Sequence, residues 1–196
     1  MALAALLAAV AGSQALAAGG TLQLNADDQF RFAREAAEKG AYPPAVLEFR
    51  RFVHFFPDDP RVGEARMAIG RALFMDGQFR EAIGAFREVV DKEGGRLAET
   101  ALLEISAAHL ALGETRAALQ ALDELLTVTA DEDLKDQVWL RVGWIYLDQG
   151  EFDAARQAFA RVRPESREKL GIGEIEQGLE RAGDIPRKSP AAAGVF

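Results

Sequence analysis

Apolar residues recur every three or four positions through most of the chain, and short glycine-containing breaks interrupt this pattern at regular intervals. Such a period places the apolar side chains on one side of an α-helix. The four breaks share a central glycine: Gly40, Gly77, Gly113 and Gly150. These glycines are 37, 36 and 37 residues apart. The pattern predicts pairs of amphipathic helices joined at the glycines, beginning with helices near 27–39 and 43–56, and no sheet.

The positions after each glycine repeat in phase. An alanine stands five residues later, at Ala45, Ala82, Ala118 and Ala155. A large apolar residue follows four positions further on, at Phe49, Phe86, Leu122 and Phe159. One helical hairpin cannot bury its own apolar face, so successive hairpins must stack on a shared core. The sequence therefore predicts an all-α solenoid of about four hairpins, closed by a short capping helix over 169–182.

The fourth unit contains the most specific motif. Trp139-x-x-Val142-Gly143-x-x-Tyr146, followed by Ala155-x-x-x-Phe159, resembles the tetratricopeptide repeat (TPR) signature with valine in place of leucine. The resemblance covers about residues 26–162. It implies a TPR solenoid that binds other proteins.

The first unit resembles a narrower group. Its segments 30–33 (Phe-Arg-Phe-Ala) and 55–58 (Phe-Phe-Pro-Asp) are similar to those of bacterial cell-envelope TPR proteins. This resemblance implies an adaptor that holds partner proteins during outer-membrane assembly or envelope synthesis.

In a TPR stack the first helix of each pair lines the concave face, which predicts a partner-binding groove. By phase, that surface holds Phe30, Arg34, Met67, Arg71, Phe74, Leu103, Leu110, Leu140, Trp144 and Leu147. One interpretation is an apolar groove for an extended or helical peptide, anchored by Met67, Phe74 and Trp144. The other is that neighbouring repeats or the C-terminal segment cover these side chains. Trp139 falls on an internal packing position, so Trp144 is expected to be the more exposed tryptophan.

Composition and charge narrow the function. The chain has 196 residues and a net charge of −8, which argues against a general nucleic-acid binder with a basic face. Zero cysteines exclude disulfides and thiolate metal sites. No nucleotide-binding, hydrolase or metal-binding motif is present. His109 is expected to be a packed, hydrogen-bonded histidine, and the acidic residues 131–133 are expected at a helix N-terminus. We therefore expect no enzymatic activity, cofactor or metal.

The N-terminal stretch is almost entirely Ala, Leu and Val, and Ala15-Leu16-Ala17 follows it. This arrangement predicts a signal peptide over 1–17 and a periplasmic protein that starts at Ala18. No Lys or Arg precedes the apolar run, so a disordered alanine-rich leader is the alternative. The remaining predicted divisions are a flexible segment over 18–25, a helical domain over 26–182 and a disordered tail over 183–196.

The tail suggests a second functional hypothesis. Arg187-Lys188 precedes a final uncharged run over 191–196, an arrangement typical of the start of a membrane segment. The chain would then be the soluble portion of a membrane-anchored TPR protein whose C-terminal membrane region is missing.

Overall fold

Helices account for all of the regular structure in the part of the chain that the computed structural model describes, residues 25–173. Eight of them form four antiparallel hairpins in chain order, as the glycine spacing predicts. No strand occurs within 25–173. The helices are α1 (Ala26–Glu38), α2 (Tyr42–Phe55), α3 (Val62–Met75), α4 (Phe79–Lys92), α5 (Gly95–Ala111), α6 (Thr115–Val128), α7 (Glu132–Asp148), α8 (Phe152–Ala160) and α9 (Pro164–Arg167).

The hairpin turns share one hydrogen-bonded geometry. At the second turn, Gly77 has a φ of 76°, a left-handed conformation that side chains disfavour. The N–H of Gln78 then donates to the carbonyl oxygen of Leu73 at 2.9 Å, which satisfies a helix-end acceptor. Equivalent bonds of 2.8–2.9 Å close the other three turns. The predicted role of the glycines in ending the first helix of each pair is confirmed.

Each hairpin is held by a small residue on its first helix facing a large one on its second. A Cβ added to Gly70 would lie 2.4 Å from the ring of Phe86, and one added to Gly143 would lie 2.2 Å from the ring of Phe159. The corresponding pairs in the other two hairpins, which are all buried, are Ala33 with Phe49 and Ser106 with Leu122. In the second and fourth hairpins the backbones of the two helices therefore approach closely, and the phenylalanine ring fills the space that a side chain in place of the glycine would need.

The last junction between hairpins is wider than the others. The backbones of α2 and α3, and of α4 and α5, approach closely along their length, whereas those of α6 and α7 do so at few points. The second and third hairpins place alanines on the buried face of their first helix, at positions where α7 has Val138 and Ile145. Larger side chains at these positions keep α7 further from α6.

The C-terminal part of the described chain covers the fourth hairpin. Ile172 is fully buried and packs with Ala155, Phe159 and Val162. The predicted capping helix begins later than Lys169, because residues 168–171 form turns. The rest of this predicted helix, the predicted signal peptide over 1–17 and the predicted tail over 183–196 lie outside the described residues. Among the helices within 25–173, none is long and apolar enough to cross a membrane.

Candidate functional site

A concave groove of about 510 Å³ lies across the first helices of the first three hairpins. Its floor comprises Phe30 from α1 and Met67, Ala68 and Ala72 from α3. The side chains around the floor include two arginines, two apolar residues and two glutamates: Arg34, Arg71, Met75, Leu97, Glu38 and Glu64. An apolar floor with a charged rim suits a protein or peptide segment that carries both apolar and polar side chains.

Four of the ten residues predicted for the groove line this cavity: Phe30, Arg34, Met67 and Arg71. The other six lie elsewhere. Phe74 packs edge-on against Phe79, with 5.1 Å between the ring centroids. Leu103 and Leu110 are partly buried against the main core, whereas Leu140 and Leu147 are partly buried against the smaller C-terminal cluster. Trp144 is 49% exposed on the fourth hairpin.

The two apolar residues at the base of the groove are largely covered. Phe30 is 6% exposed and Met67 is 3% exposed. Phe30 makes edge contacts with the rings of Phe49 and Phe52, at centroid distances of 5.7 and 5.0 Å. Of the two interpretations of the sequence, covering by neighbouring helices applies to this pair, which forms a rigid floor rather than protruding anchors.

Two apolar side chains protrude into the groove, and neither is among the ten residues predicted from the sequence. Met75 is 61% exposed and Leu97 is 37% exposed. Met75 is the last residue of α3, and Leu97 lies in the first turn of α5, where its Cδ1 is close enough to Gly63 to clash with an added Cβ. The ten predicted residues stand ten, six or three positions before a turn glycine, whereas Met75 stands two positions before Gly77 and Leu97 sixteen before Gly113.

Both arginines of the groove are held by surface ion pairs. Arg34 pairs with Glu38 in the next turn of α1, at 3.3 Å. Arg71 pairs through Nε with Glu104 of α5, at 3.0 Å. Both guanidinium groups are more than half exposed, and exposed pairs of this kind contribute at most about 1 kcal/mol. Either arginine can therefore exchange its partner for a carboxylate on a bound segment at little cost.

Arg61 stabilises the floor of the groove by packing against its aromatic side chains. Its guanidinium lies 5.1 Å from the ring centroid of Phe30 and 5.4 Å from that of Phe52. It also pairs with Asp59 at 2.7 Å and with Asp27 of α1 at 2.8 Å. The hydrogen bonds from the Arg61 side chain and backbone N–H lower the pKa of Asp59 to about 2. The loop before α3 is thus tied to the start of α1, which holds the two walls of the groove together.

The two tryptophans differ in their exposure to solvent, as the sequence predicts. Trp139 is half-buried between the two core clusters and lies under the guanidinium of Arg161, 5.3 Å from the ring centroid. Trp144 is the more exposed, and its ring makes an edge contact with Phe159 at 6.2 Å between centroids.

The polar residues that the sequence singled out have structural partners. His109 is half-buried, and its Nδ1 lies 2.8 Å from Oε2 of Glu114. The hydrogen bond with His109 lowers the pKa of Glu114, with a further contribution from Arg80. The Asp131 carboxylate accepts from the N–H groups of Asp133 and Leu134, which confirms the predicted position at a helix N-terminus. Within residues 25–173, no group of three His, Cys, Asp or Glu side chains is placed to hold a metal ion.

Comparison with known proteins agrees with this architecture. The sequence profile of the tetratricopeptide repeat-like domain matches residues 1–172. A search of curated proteins finds no significant match.

Three solved structures illustrate the similarity of the fold. A crystal structure of MamA is 20% identical, with a TM-score of 0.59, over 76% of this chain and 81% of that one. A tetratricopeptide repeat protein from Parabacteroides merdae is 19% identical, with a TM-score of 0.63, over 81% of this chain and 61% of that one. The TPR-like repeats of a kinesin light chain from Podosopora anserina are 16% identical, with a TM-score of 0.55, over 80% and 91%.

Proposed function

The chain belongs to the tetratricopeptide repeat-like family, and on that premise we propose that it is a non-enzymatic adaptor that binds partner segments in its concave groove. The fold is that of protein–protein interaction scaffolds. The observation that carries the proposal is the groove across α1, α3 and α5, with its buried apolar floor and its exposed Met75 and Leu97. Rigid floors with a few protruding apolar side chains bind partners without a large ordering cost.

The groove favours a partner segment that combines apolar residues with at least one carboxylate. Apolar side chains of the segment would pack on the floor and against Met75 and Leu97. A carboxylate would replace Glu38 or Glu104 as the partner of Arg34 or Arg71. The mixed charge of the rim, which includes Glu38 and Glu64, disfavours long acidic segments and so adds specificity.

We place this adaptor in the periplasm, where it would organise cell-envelope proteins. The support is the apolar leader with Ala15-Leu16-Ala17 at its end. N-terminal sequencing of the protein recovered from its native cells tests this placement. A first residue of Ala18 is expected, and retention of residues 1–17 in a cytoplasmic fraction would contradict it.

The second candidate is a membrane-anchored form with the same groove. Arg187-Lys188 and the uncharged run over 191–196 support it. Reading the genomic DNA past the codon for Phe196 distinguishes the two forms. An anchored protein requires a hydrophobic continuation there and requires that the protein sediment with membranes, whereas a stop codon and full solubility would rule it out.

A charge-reversal pair tests the groove itself. Arg71→Glu removes a groove cation that bridges α3 and α5, whereas Arg87→Glu removes a matched cation that bridges α4 and α6 to Glu124 at 2.6 Å, outside the groove. After chemical crosslinking in intact native cells, we expect Arg71→Glu to lose the crosslinked partners at least fivefold and Arg87→Glu to retain them. Equal loss from both variants, or from neither, would contradict binding in this groove.

A further inference from the structure

The outer face of α1, the first described helix of the stack, carries an aromatic residue at a position that is buried in every later hairpin of the described chain. The repeat spacing aligns Phe32 with Ile69, Ile105 and Val142. Those three residues are 8%, 0% and 7% exposed, whereas Phe32 is 51% exposed. Each of the three helices that carry those residues packs against the second helix of the hairpin before it, whereas α1 is the first helix within the described residues.

The positions on either side of Phe32 differ from their equivalents in the later hairpins. Asp28 aligns with Ala65, Ala101 and Val138, and Glu35 aligns with Ala72, Ala108 and Ile145. All six of those apolar residues are buried, which is what stacking on a preceding hairpin requires. The carboxylates in α1 would be desolvated without partners by such stacking, which is unfavourable. The outer face of α1 is therefore unsuited to receive another copy of the same repeat contact.

The charges on this face are arranged in a self-complementary order. Along α1 they run Asp28, Arg31, Glu35 and Lys39, with Phe32 near the middle. An antiparallel second copy of α1 places Asp28 near Lys39 of the other copy and Arg31 near Glu35 of the other copy, twice each by symmetry. The twofold axis then lies near the level of residue 33, and the two Phe32 rings pack against each other beside it. A parallel copy would instead set like charges against each other, which is destabilising.

We infer that the outer face of α1 is a self-association surface, on which a second copy of this chain packs in antiparallel orientation about Phe32. Among the described residues, the ion pairs of these four side chains stay within α1 and its C-cap, Arg31 with Asp28 at 2.5 Å and Lys39 with Glu35 at 3.8 Å. The side chains of all four are 46% or more exposed, so these pairs exchange for intermolecular ones at little cost. An isologous contact of this kind closes as a dimer and leaves no open end.

The size of the face sets the strength of the dimer. A 13-residue helix is about 20 Å long. Two such faces bury far less than the roughly 1,200 Å² of a stable complex, so the expected association is weak and reversible. The surface is separate from the groove, because Phe32 and the four charged residues do not line it. The dimer therefore stands independently of the proposed function.

Matched aspartate substitutions test the contact. Phe32→Asp in the full chain is compared with Leu47→Asp, which has the same 51% exposure but lies on α2. In sedimentation velocity, we expect Phe32→Asp to weaken self-association of the chain at least tenfold and Leu47→Asp to leave it unchanged. Equal effects of the two variants, or a wild-type chain that does not self-associate, would overturn the inference, including the case in which residues before Asn25 or a different protein cover Phe32.

Charge reversal tests the antiparallel register. Arg31→Glu alone and Glu35→Arg alone each place like charges across the dimer, so each should weaken association of the full chain at least fivefold in sedimentation velocity. The double variant Arg31→Glu/Glu35→Arg restores opposite charges across the twofold axis and should recover the wild-type association. Failure of the double variant to recover, with its helical circular dichroism unchanged, would refute the antiparallel arrangement.

Discussion

At the scale of single residues, close approach of helix backbones depends on one small position in each first helix. Gly143 lies so near Phe159 that an added Cβ would stand 2.2 Å from the ring, and Gly70 has the same relation to Phe86. Gly84, in contrast, lies within α4 with no atom within 4 Å of an added Cβ. Substitution of Gly143 and of Gly84 by alanine therefore separates the effect of packing from the effect of helix propensity.

Gly143→Ala should destabilise the protein by about 1–3 kcal/mol, because the new methyl group must displace the ring of a fully buried phenylalanine. Gly84→Ala should instead stabilise it by about 0.5–1 kcal/mol, since alanine favours a helix interior. Urea unfolding of both variants measures the two effects. Equal shifts of the unfolding midpoint in the same direction would contradict the packing account.

The ion pair behind the groove floor predicts a pH dependence. The pKa of Asp59 is lowered from 3.8 to about 2 in the folded chain by its hydrogen bonds from Arg61. A lowered carboxyl pKa stabilises the folded state above the unfolded pKa, and this stability is lost as the pH falls through the folded pKa. The melting temperature of wild type should exceed that of Asp59→Asn at pH 5, and the difference should shrink between pH 3.8 and 2. A constant difference over this range, or the same trend in Asp58→Asn, would refute the assignment.

At the scale of helices, the sequence was most informative about where elements begin and end. The first two helices were predicted near 27–39 and 43–56, and they occur at Ala26–Glu38 and Tyr42–Phe55. The glycine turns made this possible, because a left-handed residue and its hydrogen bonds end a helix locally. Of the predicted capping helix only the start can be compared, and it lies after Lys169 because residues 168–171 form turns.

The two tryptophans of α7 give a prediction at this scale. Trp139→Ala should lower the free energy of unfolding by about 3 kcal/mol, because the ring packs against both core clusters and under Arg161. Trp144→Ala should change it by less than about 1 kcal/mol, since half of the ring is exposed. Thermal and urea unfolding compare the two variants. A larger loss of stability in Trp144→Ala would show that Trp144, and not Trp139, occupies the internal packing position of α7.

At the scale of the whole molecule, the sequence repeat was enough to predict the solenoid, but it was not enough to predict the shape of the concave face. Which side chains remain accessible depends on how neighbouring hairpins curve, and that depends on pairs in contact across repeats. Met67 was predicted as an anchor and is 3% exposed, whereas Met75, two turns later on the same helix, is 61% exposed. The wider junction between α6 and α7 likewise depends on Val138 and Ile145. Their effect on the distance between the two helices cannot be recognised from the sequence of one repeat alone.

The central claim is that partners bind in the groove across α1, α3 and α5, and site-specific photo-crosslinking in native cells tests it most directly. A benzophenone amino acid replaces Met75 in the groove or Phe55 on α2, which are 61% and 67% exposed and thus closely matched. The groove position should give discrete crosslinked adducts that Arg71→Glu reduces at least fivefold, and the Phe55 position should give few. Adducts that are equally abundant at both positions, or that arise only at Phe55, would contradict the claim.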